Sequence, residues 1–270
     1  MGLARGVILV GTSGFSYQDW RGVFYPPDFP ERDMLAYYSR HFPVVELDFT
    51  YYRMPSPRTM ASIERKTPPG FTFCVKAYRE VTHERPQDRA ELRSLCRQFA
   101  SALDPLRAAG KLGCVLVQFP WSFGPSPENR ALVEDLPELL PGLELVVEFR
   151  NSQWISDETR EALTRARLGF CAVDEPRLKG LMPPLTWVTS PVAYVRFHGR
   201  NARKWWKHEH PWERYDYLYS EEELKSWVPR IRQMAEQAER TYVLFNNCHA
   251  GQAAKNASMM QLLLGGDLPA

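Results

Sequence analysis

Residues Tyr194 to Asn201 read YVRFHGRN. Tyr194, Arg196 and His198 share one parity, and Val195 and Phe197 take the other. Alternate side chains of a strand point to opposite faces. One face of this segment is therefore apolar, and the other carries a phenol, a guanidinium and an imidazole. Gly199 and Arg200 then read as the loop in which the strand ends. A charged side chain at the last inward position of a strand is where a parallel α/β fold keeps its chemistry. The plainer alternative is a half-solvated amphipathic strand. The same pattern recurs along the chain, and that recurrence favours the first reading.

Outward from this stretch, seven further segments read as strands. Val7 to Val10 is a short buried run, with Gly11, Thr12, Ser13 and Gly14 read as the turn that ends it. The others are VVELDFT (44–50), FTFCVKA (71–77), LGCVLVQF (112–119), LELVVEFR (143–150), FCAVD (170–174) and YVLFNN (242–247). Helical patterns fall at 33–42, 57–66, 87–103, 127–140, 157–167, 220–239 and 251–264. Ser220 and Glu223 have the spacing of a capping box. Residues 176–191 form a proline-rich connection with no clear helix. Alternating strands and helices call for a parallel sheet. Eight units in 270 residues fit a closed barrel, ordinarily about 250 residues long, better than an open doubly wound sheet. The GTSG after the first strand lacks the glycine spacing of a dinucleotide site. The expectation is one (β/α)8 TIM-type barrel spanning 1–270, with parallel strands and loop insertions at its C-terminal face. The aromatic segments 15–30 and 202–219 are those insertions.

Composition narrows the function classes. A formal charge of +2 gives no bulk grip on nucleic acid, although a local basic cleft remains open. The five cysteines are odd in number and form no C-x-x-C pair. They point to a reducing, cytoplasmic setting. The opening MGLARGVILVG does not have the form of a signal peptide. No apolar run approaches the roughly 20 residues of a membrane span.

Inward side chains near the carboxyl ends of barrel strands converge on one pocket. Strand parity selects Glu46 and Asp48, Lys76, Gln118, Glu148 and Arg150, Asp174, Arg196 and His198, and Asn246. Enclosed charges are costly unless paired, and this set is nearly balanced. An ion-paired plug is the structural alternative to a site. Three chemistries fit. Carboxylates could work as acid and base while Arg196 and Arg200 hold an anion. Glu148, Asp174 and His198 could bind magnesium, manganese or zinc, although three nearby cations oppose a metal. Lys76 could form a Schiff base, although surrounding carboxylates raise rather than lower its pKa. Asn246 and Asn247 end the last strand ahead of a helix N-terminus, which with the neighbouring Gly199 and Arg200 suggests a phosphate cradle.

Seven motifs together resemble one family. They are GTSGFSYQDWRGVFYP, VELDFTYYRMP, FCVKAYREVTH, LVQFP, VEFRNSQW, YVRFHGR and FNNCHAGQAAKNA, and they span essentially the whole chain. In order and spacing they are similar to the YecE-like proteins, the domain of unknown function 72. The resemblance implies a barrel of the kind just argued and no established activity. That fold is similar to the endonuclease IV and sugar-isomerase barrels. Carried over residue by residue, the family's polar signature falls on Glu46, Lys76, Gln118, Glu148, Arg150, Asp174, Arg196, His198, Gly199, Arg200, Asn246 and Asn247. This chain departs at Asp48, where the family usually has Asn, at Phe49, where it has a small residue, and at Cys248, where it has Asp.

The expected function is acid–base chemistry on a small phosphorylated or polyhydroxylated substrate, with no redox cofactor. Glu148 and Asp174 are the expected acid and base, with Glu46 beside them. Lys76, Arg196 and Arg200 hold the anion, and His198 shuttles a proton or orients the substrate. Arg150, Gln118, Asn246, Asn247 and Asp48 complete the binding set. The alternatives are a metal-dependent nuclease and a non-catalytic binder of an anion. A nuclease would use Trp205, Trp206, Trp212 and Tyr215 with Arg203, Lys204 and Lys207 as a stacking strip. The reading of 202–219 as a lid is preferred, which leaves nucleic acid the less favoured partner.

Overall fold

Eight parallel strands close into a barrel in the computed structural model, which describes residues 6–265. Residues 1–5 and 266–270 of the expected 1–270 domain, including the start of the stretch tested for a leader, lie outside that range. The strands are β1 (Val7–Ser13), β2 (Val44–Leu47), β3 (Thr72–Lys76), β4 (Leu112–Gln118), β5 (Leu145–Glu148), β6 (Gly169–Asp174), β7 (Val192–Phe197) and β8 (Arg240–Phe245). Each pairs with its neighbour in sequence, and β1 pairs with β8 to close the ring. Such strands are covered on both faces, as a parallel barrel requires. The long helices Arg89–Ala102, Pro127–Leu139 and Gln252–Leu264 belong to the outer layer. Several helices start where a short polar side chain caps them. Ser56, Ser126, Ser156 and Ser220 each accept from the backbone N–H three residues on, at 3.1–3.3 Å, a contact worth about 1 kcal/mol apiece. The box of Ser220 and Glu223 is formed.

Among the boundaries that differ from expectation, three have a clear local cause. β1 runs on through Gly11, Thr12 and Ser13, which pair with Val44, Val45 and Glu46. Both hydroxyl side chains are buried, so polarity misled the placement of the turn. β2 stops at Leu47, and Phe49–Tyr52 make a helical turn instead. The Thr50 hydroxyl donates to the carbonyls of Leu47 and Lys76, which ties that turn to β3. The helical stretch after Ser220 is two helices, Glu221–Lys225 and Val228–Ala235. The second opens with Pro229 in its first turn, a position suited to starting a helix and not to continuing one. No helix among the described residues is long and apolar enough to cross a membrane.

Candidate functional site

A guanidinium lies between two carboxylates at the carboxyl ends of the strands. Arg196 on β7 donates from Nη1 to Glu148 Oε2 at 2.8 Å and from Nη2 to Glu46 Oε1 at 2.5 Å. Tyr194, two residues earlier on the same face, donates its hydroxyl to the other Glu46 oxygen at 2.6 Å. Arg150, just past β5, brings Nε to 2.5 Å from Glu148 Oε1 and Nη1 to 3.3 Å from Glu175 Oε2. His198 Nε2 is 3.2 Å from Glu148 Oε1, and Asn246 Nδ2 is 3.0 Å from His198 Nδ1. Glu46, Glu148 and His198 have no exposure, and Arg196 has 1%. Buried ions at this depth hold together only because each is paired on several sides.

The fields in this network have clear signs. Burial alone would raise Glu148, but Arg150, Arg196 and His198 hold it well below the usual carboxylate range. Burial and then Arg150 lower His198 to about 3, despite the pull of Glu148. The ring is therefore neutral. With one proton on Nε2 it donates to Glu148 and accepts the Asn246 amide at Nδ1, so both contacts are satisfied by one tautomer. Burial also raises Glu175, against Arg150, to about 7. Asp48 follows the same course to about 7, raised by burial and by Glu46 against Lys76 and Arg196.

Over this network opens a cleft of about 270 Å³. Its floor carries Lys76, Gln118 and Arg150, and its walls carry Tyr51, Tyr52, Trp121 and His83. The insertion after β7 supplies Trp205, Trp206, Arg214 and Tyr215, so this segment covers the strand ends. The Lys76 ammonium sits 4.6 Å over the Tyr51 ring. Arg214 donates to the Trp205 carbonyl at 2.9 Å and lies over the Trp205 and Tyr215 rings. No carboxylate lines the cleft among the described residues. A roomier groove between the loop after β1 and the Pro57–Glu64 helix holds Glu31, Arg58 and Lys66. It contains none of the strand-end residues.

Of the residues that parity selected the structure separates one, Asp174, and it also places Arg200 and Asn247 of the expected binding set away from the others. Glu46, Asp48, Glu148, Arg150, Arg196, His198 and Asn246 form the network, and Lys76 and Gln118 meet Arg150 in the cleft. Asp174 faces the helix layer instead. It accepts from Arg200 Nε and Nη2, each at 2.7 Å, from the Trp227 indole at 2.7 Å and from the Tyr219 hydroxyl at 2.9 Å. Arg200 is held on that same outer side, with Glu223 as its second partner at 2.9 Å. Asn247 is fully buried and donates to Tyr217 O and Asn256 Oδ1. Ahead of the last helix, where a phosphate cradle was expected, the Ala250 N–H donates to Asp19 Oδ2 at 2.7 Å. Sequence reasoning missed Glu175, which takes the inward place given to Asp174, and also His83, Tyr51, Tyr52 and Trp121. The aromatic residues just past strand ends, as in LVQFPW, were the available signal.

A metal has a poor fit to these residues. The space between Glu46 and Glu148 is taken by the Arg196 guanidinium. Among the described residues no three of His, Cys, Asp or Glu gather as a ligand set.

Comparison with known proteins gives a consistent picture. The family model described as "Protein of unknown function DUF72" matches residues 9–269. The UPF0759 protein YunF of Bacillus subtilis is 33% identical over 272 residues, covering 96% of this chain and 95% of that protein. The UPF0759 protein YecE of Escherichia coli K12 is 30% identical over 132 residues, covering 48% of this chain and 47% of its own. The crystal structure of a DUF72 family protein from Thermotoga maritima is 44% identical with a TM-score of 0.85, covering 95% of this chain and 98% of that one. Another, from Enterococcus faecalis, has 28% identity and a TM-score of 0.86, covering 97% and 96%.

Proposed function

The chain belongs to the DUF72 family of proteins of unknown function, and on that footing we propose that its strand-end cleft takes a small phosphorylated or polyhydroxylated substrate and works on it by acid–base chemistry. One observation carries this reading. Lys76, Arg150 and Arg214 face one cleft whose lining includes no carboxylate among the described residues. Among the described residues Lys76 and Arg214 have no carboxylate within 4.0 Å, and Arg150 keeps Nη2 free of any such contact. Unpaired cations between low-dielectric walls attract an anion. The aromatic walls suit the flat face of a sugar or another ring, and Gln118 and the tyrosine hydroxyls suit its polar edge.

The Glu46, Arg196 and Glu148 arrangement lies behind this cleft as a fixed electrostatic support. Its carboxylates already hold their hydrogen bonds, so they orient Arg150 more readily than they exchange protons. A calorimetric and thermal-shift screen of sugar phosphates against the intact chain tests the proposal. Binding that disappears in Lys76→Met supports it. An absence of binding across the panel, or binding indifferent to Lys76 and Arg214, removes it. Product analysis on any ligand that binds separates an enzyme from a non-catalytic anion binder.

The exposed indoles of Trp121 and Trp206 also suit a stacked single strand. Oligonucleotide titration at two salt concentrations separates that reading, since phosphate contacts along a strand weaken steeply with salt.

A further inference from the structure

We propose that His83 takes a proton from the ligand of this cleft at Nε2, and that the ligand carries an anionic group beside the hydroxyl that gives it. The inference rests on the cleft being a ligand site, and it adds the proton acceptor that acid–base chemistry there requires.

The lining leaves few candidates. Besides His83 it consists of ammonium, guanidinium, phenol, indole, amide and apolar side chains. The first three ordinarily hold their protons at neutral pH, and the rest do not exchange one. The carboxylates behind the cleft are paired. Glu46 is held by Arg196 and Tyr194, and Glu148 by Arg150, Arg196 and His198. His198 is sealed, with Glu148 at one ring nitrogen and Asn246 at the other. His83 follows the short helix Arg79–Thr82 beyond β3, and its backbone N–H donates to the Arg79 carbonyl at 2.7 Å. Its Nδ1 lies 2.8 Å from the hydroxyl of Thr82, a residue with 1% exposure. Nε2, on the other side of the ring, has no partner among the described residues and is not sealed. A hydroxyl both donates and accepts. Thr82 can therefore donate to a bare Nδ1, or accept from Nδ1–H when Nε2 is the bare nitrogen and when the ring is charged.

Tyr51 joins the imidazole to the cations of the cleft. Its ring is 5.0 Å from the His83 ring at an interplanar angle of 81°, and Lys76 Nζ lies 4.6 Å over it. The charged groups that act on His83 are Lys76 at the end of β3, Arg150 past β5, Arg85 two residues on, and Glu148 on β5. Burial and then the three cations keep the ring neutral, against Glu148. An anion bound at Lys76 and Arg150 offsets two of those cations and favours the imidazolium. The base is thus enabled by the anionic part of its own ligand, which favours a phosphorylated polyol over a neutral sugar. With the anion seated, the proton of a ligand hydroxyl passes to Nε2. The electron pair of the broken O–H bond stays on the ligand oxygen, and the imidazolium keeps its other proton on Nδ1 towards Thr82. The reverse transfer restores the hydroxyl and the neutral ring.

The test uses inorganic sulfate, which does not itself titrate near neutrality, and the intact chain. Calorimetry establishes sulfate binding, and nitrogen-correlated NMR follows the His83 ring, assigned by its loss in His83→Gln. In the free chain the ring should stay neutral down to about pH 5. With sulfate saturating, its titration should move up by about one pH unit or more. Sulfate that binds and leaves the His83 titration where it was overturns the inference. A neutral polyol such as sorbitol should leave the titration in place, and a shift as large as that with sulfate overturns the ligand class. Sulfate that fails to bind the wild-type chain counts against the ligand site instead. In that case acylation by diethyl pyrocarbonate, located by mass spectrometry, decides His83 alone. Modification of His83 in the folded chain supports an open, nucleophilic Nε2, and a His83 that stays unmodified overturns it.

Discussion

His198 Nε2 lies 3.2 Å from Glu148 Oε1, a contact that places the single proton of the neutral ring on Nε2. The ordinary imidazole value is about 6.5, and burial with Arg150 brings this one to about 3. The imidazole signals of His198 should therefore stay constant from about pH 8 to about pH 5, with the proton on Nε2 throughout. Nitrogen-correlated NMR reads both. A ring that titrates within that range would remove the neutral assignment. The sign for stability follows from the lowered value. The unfolded chain takes up the proton first, so the contribution is whole above about 6.5 and is lost as pH falls towards 3. His83, lowered to about 4 by burial and Lys76, adds to the loss between about 6.5 and about 4.

Arg196→Met should destabilise the fold by about 3–5 kcal/mol, because Glu46 and Glu148 then remain buried without their shared cation. Chemical denaturation measures it. Adding Glu46→Gln and Glu148→Gln should recover part of the loss. A triple variant no more stable than the single one would show that packing, and not charge, is what Arg196 supplies.

Asp174→Asn should lower stability by about 1–3 kcal/mol, since an amide cannot accept from all four donors around it. Sulfate affinity in the cleft should stay within twofold of the wild type. A large loss of affinity at unchanged stability would return Asp174 to the site.

Trp205 and Trp206 are adjacent and should behave differently. Trp205 is 2% exposed and Trp206 is 50% exposed. Trp205→Ala should cost about 3–5 kcal/mol by leaving a cavity. Trp206→Ala should change stability by no more than about 0.5 kcal/mol and weaken ligand binding several-fold. Thermal melts and calorimetry on both variants check the pair. If Trp206→Ala binds as the wild type does, the covering segment contributes no contact.

The fold was legible in the sequence because each strand announced itself by composition and each long helix by its start. Eight strands with helices between them left few arrangements. The inward residues of β2, β5 and β7 were legible for the same reason: on these strands an apolar parity opposes a charged one, as in VEL, VVEFR and YVRFH. The segment 202–219 had to begin at the strand ends because it follows β7 directly.

What the sequence could not decide is where the pattern carries no contrast. β6 is buried on both faces, so FCAVD reads the same with either parity inward. Only the closed barrel shows that Cys171 faces Glu148, which sends Asp174 to Trp227 and brings Glu175 to Arg150. Arg200 follows from backbone geometry. Gly199 has a φ of +86°, a left-handed conformation natural to glycine, and Arg200 beyond it lies with Asp174 and Glu223 on the outer side. Pairing was equally out of reach. Whether a carboxylate is saturated or free depends on donors that arrive from strands up to 150 residues away, as Arg196 reaches Glu46. Sequence sets which charges stand at the strand ends, and the closure of the barrel decides which of them remain free to act.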